Sequence, residues 1–207
     1  MRTAVILVSA LLWMCIHCTA FGAEPAATSV DTSALSALQF PSTGDSSEQK
    51  YLGISSGDSV SLGQIRAERL IIVVFNSYCS ICQLDAPVLN VLYGAVQDDP
   101  RLKGRTKIVG IAAGNTRLEV EDFRSTHEVP FPLFPDPNFS MDRAIPSNLR
   151  VPIVIIAKNT PEQSLEILKI HQGKLKDVDG FLDMASEGTA RTDAPSDARA
   201  KNLALNN

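Results

Sequence analysis

Residues 75–87 read FNSYCSICQLDAP. Two cysteines, Cys79 and Cys82, stand with two residues between them. They follow an apolar run, LIIVVF at residues 70–75, and precede a segment in which Leu84, Val88, Leu92 and Val96 recur at helical spacing. LIIVVF is short, continuous and rich in β-branched side chains, which fits a strand buried on both faces of a parallel sheet. The pair therefore sits where a strand ends and a helix begins, the place where open α/β sheets carry their chemistry.

A cysteine at a helix N-terminus meets free backbone N–H groups and the positive end of the helix dipole, and both favour a thiolate. Cys79 is nearer the tip and is expected to attack. Cys82, one turn in, is expected to resolve the mixed disulfide. Asp85 reads as an exposed acid of the first helical turn, and Pro87 as a bend in the helix.

The rest of the chain alternates between strands and helices. KIVGIAA (107–113) is a strand, TRLEVEDFRSTHEV (116–129) an amphipathic helix with Leu118 and Phe123 on one side, and VPIVIIAK (151–158) a buried strand. Between the last two lies a Pro-rich stretch expected to hold a short strand, turns and one helical turn. SLEILKIHQGKL (164–175) alternates like a sheet strand, and LKDVDGFLDMAS (175–186) reads as a final helix. Residues 36–65 give weak strand and turn signals, with turns at Gly44-Asp45 and Gly57-Asp58. The pattern predicts an α/β sheet with right-handed crossovers.

The 207 residues carry a formal net charge of −4 and no basic stripe, so a nucleic-acid partner is not expected. The N-terminal stretch has one basic residue, Arg2, an apolar run over residues 4–16, then Ala20, Gly22 and Ala23. This is the order of a secretory signal peptide, and the run is shorter than the roughly 20 residues that span a bilayer. An uncleaved N-terminal anchor is the alternative. Export leaves Cys79 and Cys82 as the only cysteines of the mature chain, because Cys15 and Cys18 fall in the removed segment. In an oxidising compartment a pair closing so small a loop has a chemical role rather than a stapling one. The expected layout is a signal peptide at 1–23, a flexible linker at 24–36, one domain at 37–186 and a disordered tail at 187–207.

Taken together, the strand, Tyr78-Cys79-Ser80-Ile81-Cys82, the helix with Asp85-Ala86-Pro87, and Val151-Pro152 ahead of a later strand resemble the thioredoxin superfamily. More narrowly, the segment is similar to the exported TlpA/ResA-like thiol–disulfide oxidoreductases, which share a C-x-x-acid-x-Pro pattern. The resemblance covers about residues 40–185. It implies a thioredoxin-like α/β fold: a central mixed sheet flanked by helices, an N-terminal β-hairpin extension, and a helix-containing insertion at residues 115–150. It implies that Cys79 is the nucleophile and Cys82 the resolving thiol. It further implies a cis proline at Pro152 packed against the pair, a Val151 backbone that pairs with substrate, and Tyr78 as a groove residue. No cofactor is implied. Substrates would be disulfide-containing exported proteins, with apocytochrome c as one case, and a membrane-bound electron-donor thiol protein would re-reduce the pair.

Three departures accompany the resemblance. Tyr78 stands where the family usually has Trp, and Ile81 where many members have Pro. The buried acid that thioredoxins carry on the active-site strand has no counterpart in LIIVVF. Two rival readings use the same residues. Two thiolates with His127 or His171 could bind Cu(I), although exported copper chaperones of this fold space their cysteines three apart and lack the strand-starting Pro. A non-catalytic binding module would keep its binding with both cysteines changed to serine. A peroxidase reading is disfavoured because Asn76 stands where peroxiredoxins have Thr.

Overall fold

The computed structural model describes residues 30–187, apart from 147, 161 and 163. The expected signal peptide, the first part of the linker and all but the first residue of the expected tail lie outside the described residues.

Asp31 opens the described chain by accepting the Ala34 amide, which caps helix α1, Thr32–Ala37. Leu35 on this helix is fully buried. The linker expected over 24–36 therefore ends early, because a leucine in its last turns is drawn into the core. Strand β1, Gln39–Pro41, follows. Helix α2, Ser46–Leu52, replaces what the sequence suggested were only turns. Its start is built by Asp45, whose carboxylate accepts the amides of Ser47 at 2.7 Å and Glu48 at 2.9 Å, and its end by Gly53 in the left-handed conformation. Strand β2, Ser59–Ser61, pairs antiparallel with β1 as the expected small hairpin.

Strand β3, Arg69–Phe75, leads to helix α3, Ser80–Asp98. Strand β4, Thr106–Ala113, helix α4, Arg117–Thr126, strand β5, Leu133–Asp136, and a 3-10 turn at Ser140–Arg143 come next. Strands β6, Ile153–Asn159, and β7, Leu165–Gln172, precede the last helix, α5, Val178–Ser186. The five-stranded sheet has the order β5-β4-β3-β6-β7. β3 runs parallel to β4 and antiparallel to β6, so the sheet is mixed with β3 at its centre.

Every residue of β3 is buried. Side chains alternate across a strand, and β3 uses both sides. Ile71, Val73 and Phe75 join a core with α3, α4 and α5, whereas Leu70, Ile72 and Val74 join a second core with α1, the hairpin and the 3-10 turn. A strand buried on both faces is held along its whole length as it delivers the chain to residue 76.

Two helical faces differ from the sequence reading. In α3 the buried positions are Cys82, Asp85, Ala86, Leu89, Leu92 and Val96, while Leu84 is 66% exposed. The apolar spacing that began at Leu84 is one residue out of phase in the first turns. In α4 Val120 and Phe123 face inward, and Leu118 is exposed. Pro87 lies inside α3 on its exposed side, and the helix continues past it to Asp98. Among the described residues no helix is long and apolar enough to cross a membrane.

Candidate active site

Cys79 is the N-cap of α3. Its Sγ receives the Cys82 amide N–H at 3.4 Å and lies 3.9 Å from the Val151 carbonyl oxygen. A capping position normally takes Ser, Thr, Asp or Asn, whose oxygen accepts a helix amide. Here a sulfur takes that place, so the first turn of the helix points its unpaired N–H groups at the thiol. Cys79 is half-buried, Cys82 is buried, and both are free thiols.

Burial pushes the Cys82 thiol up to about 12, helped by the hydrogen bond with Cys79 and the nearby charges of Cys79 and Asp85; the Asn76 amide pulls the other way. Asp85, expected on the surface, is fully buried. It sits three residues after Cys82, on the same inward face of α3. Its Oδ1 accepts the Leu175 amide at 3.0 Å, and its Oδ2 has no partner. Burial holds its carboxyl above the usual range, against the Leu175 hydrogen bond and the positive charges of Lys174 and His171. The acid missing from β3 is thus supplied by the helix. The sequence signal lay in the pattern Cys82, Asp85, Ala86, Leu89, which is a continuous helical stripe once the cysteine is counted as apolar.

The Val151–Pro152 peptide bond is cis. Val151 presents its carbonyl to Cys79, and Pro152 is buried behind it, lining an apolar interior space together with Cys82 and Phe75. In front of Cys79 opens a cavity of about 660 Å³, walled by Tyr78, Val151, Phe139, Ile145 and Leu149. Of the three groove candidates, Tyr78 and Val151 face this cavity and Pro152 does not line it. Phe139 was not singled out in the sequence. It holds a left-handed backbone, φ 51°, unusual for a bulky residue, and its ring covers Gly114, where a Cβ would lie 2.2 Å from the ring.

Tyr78 is 73% exposed, and its hydroxyl donates to Glu119 of α4. Glu119 also completes the capping box of that helix, accepting the Thr116 amide at 2.6 Å. The Tyr78 hydroxyl, foremost, and the Thr116 bonds hold the Glu119 carboxyl down at about 2. The insertion helix is therefore tied to the residue next to the first cysteine.

The two histidines considered as metal ligands have different surroundings. His127 ends α4 and packs its ring on Phe123, with centroids 4.5 Å apart. The His171 ring is 3.2 Å from the Lys174 carbonyl. Among the described residues no group of three or more His, Cys, Asp or Glu side chains is arranged to hold a metal ion.

No family model matches the sequence, and no curated protein matches it either. Solved structures do. The solution structure of a Bacteroides thetaiotaomicron protein, put forward as a protein disulfide isomerase, superposes with a TM-score of 0.53 at 17% identity, over 64% of this chain and 82% of that one. The chain has a thioredoxin-like fold. Two further structures are similar to a lesser degree. StoA from Bacillus subtilis gives a TM-score of 0.47 at 19% identity, over 62% of this chain and 89% of that chain. A secreted Mycobacterium tuberculosis disulfide oxidoreductase homologous to Escherichia coli DsbE gives 0.47 at 13%, over 63% and 89%. On the thioredoxin-like fold of this chain, Cys79 and Cys82 occupy the junction between the central strand and its helix, and the cis bond before Pro152 lies across from it.

Proposed function

We propose that this protein is a thiol–disulfide oxidoreductase of the TlpA/ResA type, acting outside the cytoplasm on disulfides of exported proteins. The observation that carries the reading is the Cys79 sulfur capping α3 at the mouth of a cavity, with Cys82 and Asp85 sealed beneath it.

The Cys79 thiolate attacks one sulfur of a substrate disulfide. That S–S bond breaks, the electron pair leaves on the other substrate sulfur, and a Cys79–substrate disulfide forms. Cys82 is held as a thiol by burial, so it needs a base. Asp85, three residues along the same helix face, takes its proton. The Cys82 thiolate then attacks the Cys79 sulfur and releases the second substrate thiol. The two substrate thiolates take up two protons, one returned by Asp85 and one from solvent in place of the proton Cys79 lost on ionising. The substrate has thus gained two electrons and two protons, and Cys79 and Cys82 are joined. A dithiol donor must reverse this last bond, and a membrane-bound thiol protein is the proposed source. The Val151 carbonyl beside Cys79 suits pairing with an extended substrate chain, with specificity left to the pockets on either side. Apocytochrome c is one substrate class that such a groove would accept.

The test is a pair of substitutions. Cys79→Ser is expected to abolish reduction of a protein disulfide such as that of insulin, whereas Cys82→Ser is expected to accumulate mixed disulfides visible by mass. Two variants that both reduce insulin like the wild type would refute the mechanism.

A further inference from the structure

Ser77 and Tyr78 lead into Cys79 and belong to neither strand nor helix. They are held from behind by the end of β4. Asn115 is fully buried. Its side-chain oxygen accepts the Ser77 amide at 2.8 Å, and its nitrogen donates to Ser77 Oγ at 2.8 Å. Gln83 of α3 donates to the Ser77 carbonyl at 2.8 Å. The amide, carbonyl and hydroxyl of Ser77 are thus all engaged. Asn76 adds two bonds, donating to the Ala113 carbonyl at 2.7 Å and accepting the Tyr78 amide at 2.9 Å.

A loop without regular structure is ordinarily free to sample several conformations. This one has its polar groups fixed by the side chains of Asn76, Gln83 and the buried Asn115, and a hydrogen-bond network satisfied in this way favours one arrangement. The arrangement reaches the sulfur directly. The Cys79 amide donates to the Asn76 carbonyl at 3.0 Å, and the Cys79 sulfur then meets the Cys82 amide.

We propose that Asn115 is a positioning residue for Cys79: by gripping Ser77 through both halves of its amide, it keeps the Cys79 sulfur aligned on the first turn of α3. The inference rests on the reading of Cys79 as the attacking thiol. An apolar residue at 115 could make neither bond, and a carboxylate could keep both only by turning the Ser77 hydroxyl into the donor and burying a charge.

The test is the rate at which iodoacetamide labels the Cys79 peptide of the reduced full chain at neutral pH, followed by mass. Asn115→Ala is expected to slow labelling about tenfold, because the sulfur loses its place against the helix amides that favour a reactive thiol. Leu102→Ala, a buried site in the loop between α3 and β4, controls for lost stability and is expected to label at the wild-type rate. Ser77→Ala removes one of the two bonds and is expected to slow labelling less, with the double variant no slower than Asn115→Ala alone. Labelling of Asn115→Ala at the wild-type rate, or slowed only as much as Leu102→Ala, overturns the inference while Cys79 keeps its role. A wild-type Cys79 no more reactive than a cysteine in a free peptide overturns the nucleophile reading and the inference with it.

Discussion

Asp85 lies one helical turn beyond Cys82 on the inward face of α3, and one of its two buried oxygens meets no hydrogen-bond partner. An unpaired buried carboxylate is costly, so it favours a proton. The adjacent thiol has a proton to give. In the proposed mechanism these are the two groups that exchange it.

Asp85→Asn should separate the two halves of the reaction. The amide can still accept the Leu175 amide, but it cannot take the Cys82 proton. Attack by Cys79 should persist, while resolution slows by about 10²-fold, the low end for loss of a general base. Quenched-flow trapping of the mixed disulfide checks this.

The same variant has a pH signature in stability. The folded value for Asp85 is raised above the ordinary 3.8. The folded state therefore holds a proton that the unfolded chain gives up. The wild type has this contribution in full below about pH 4 and loses it as pH rises through the raised value. The asparagine side chain of the variant cannot titrate. Urea unfolding across pH should give curves for wild type and variant that run parallel at low pH and separate as pH rises, with the wild type losing stability relative to the variant toward neutral pH.

Gly114→Ala should disturb the cavity wall. Gly114 has φ +77°, and an added Cβ would lie 2.2 Å from the Phe139 ring. The left-handed backbone alone costs an alanine about 1–2 kcal/mol, and the ring must also move. Denaturant unfolding should register the loss, and a crystal structure of the variant should place Phe139 away from its present seat.

Tyr78→Phe should release Glu119. The carboxyl now held at about 2 should rise toward its ordinary 4.5 when the phenol hydroxyl is removed. In the wild type this interaction is present above the ordinary value and fades as pH falls through about 2. An NMR titration of the Glu119 side-chain carbonyl reads the shift.

The strands were legible because β3, β4 and β6 are short apolar runs rich in β-branched residues, which suit strands buried on both faces. The pair at 79 and 82 was legible because its spacing is local. Helix α2 was missed although Asp45, Glu48 and Gly53 mark its two ends, since its body, SSEQKYL, has no apolar stripe. Asp85 was misplaced because hydropathy put Leu84 inside. The helix takes its phase from Cys82, Ala86 and Leu89, and two of those three are small. A direct check is Leu84→Ser, which should stay within about 0.5 kcal/mol of wild type, against Leu92→Ala, which should cost about 2–5 kcal/mol. The Asn115 contact was beyond reach, since it joins residues 38 apart in the chain, and sequence gives no sign of such a meeting.

With β3 wholly apolar but for Arg69 at its far end, both sulfurs and the acid fall within seven consecutive positions, 79–85, of one rigid rod. The spacing from Cys82 to Asp85 is set by the helical repeat, while Cys79 sits at the N-cap, where the Asn115–Ser77 contact holds its approach. Drift in the sheet, whether by mutation or by thermal breathing, carries Cys82 and Asp85 along together. Inserting or deleting one residue between Cys79 and Asp85 would instead swing the acid about 100° around the helix, out of the interior. The pairing of Cys82 with Asp85 is therefore tolerant of change elsewhere in the core and intolerant of change in the residue count.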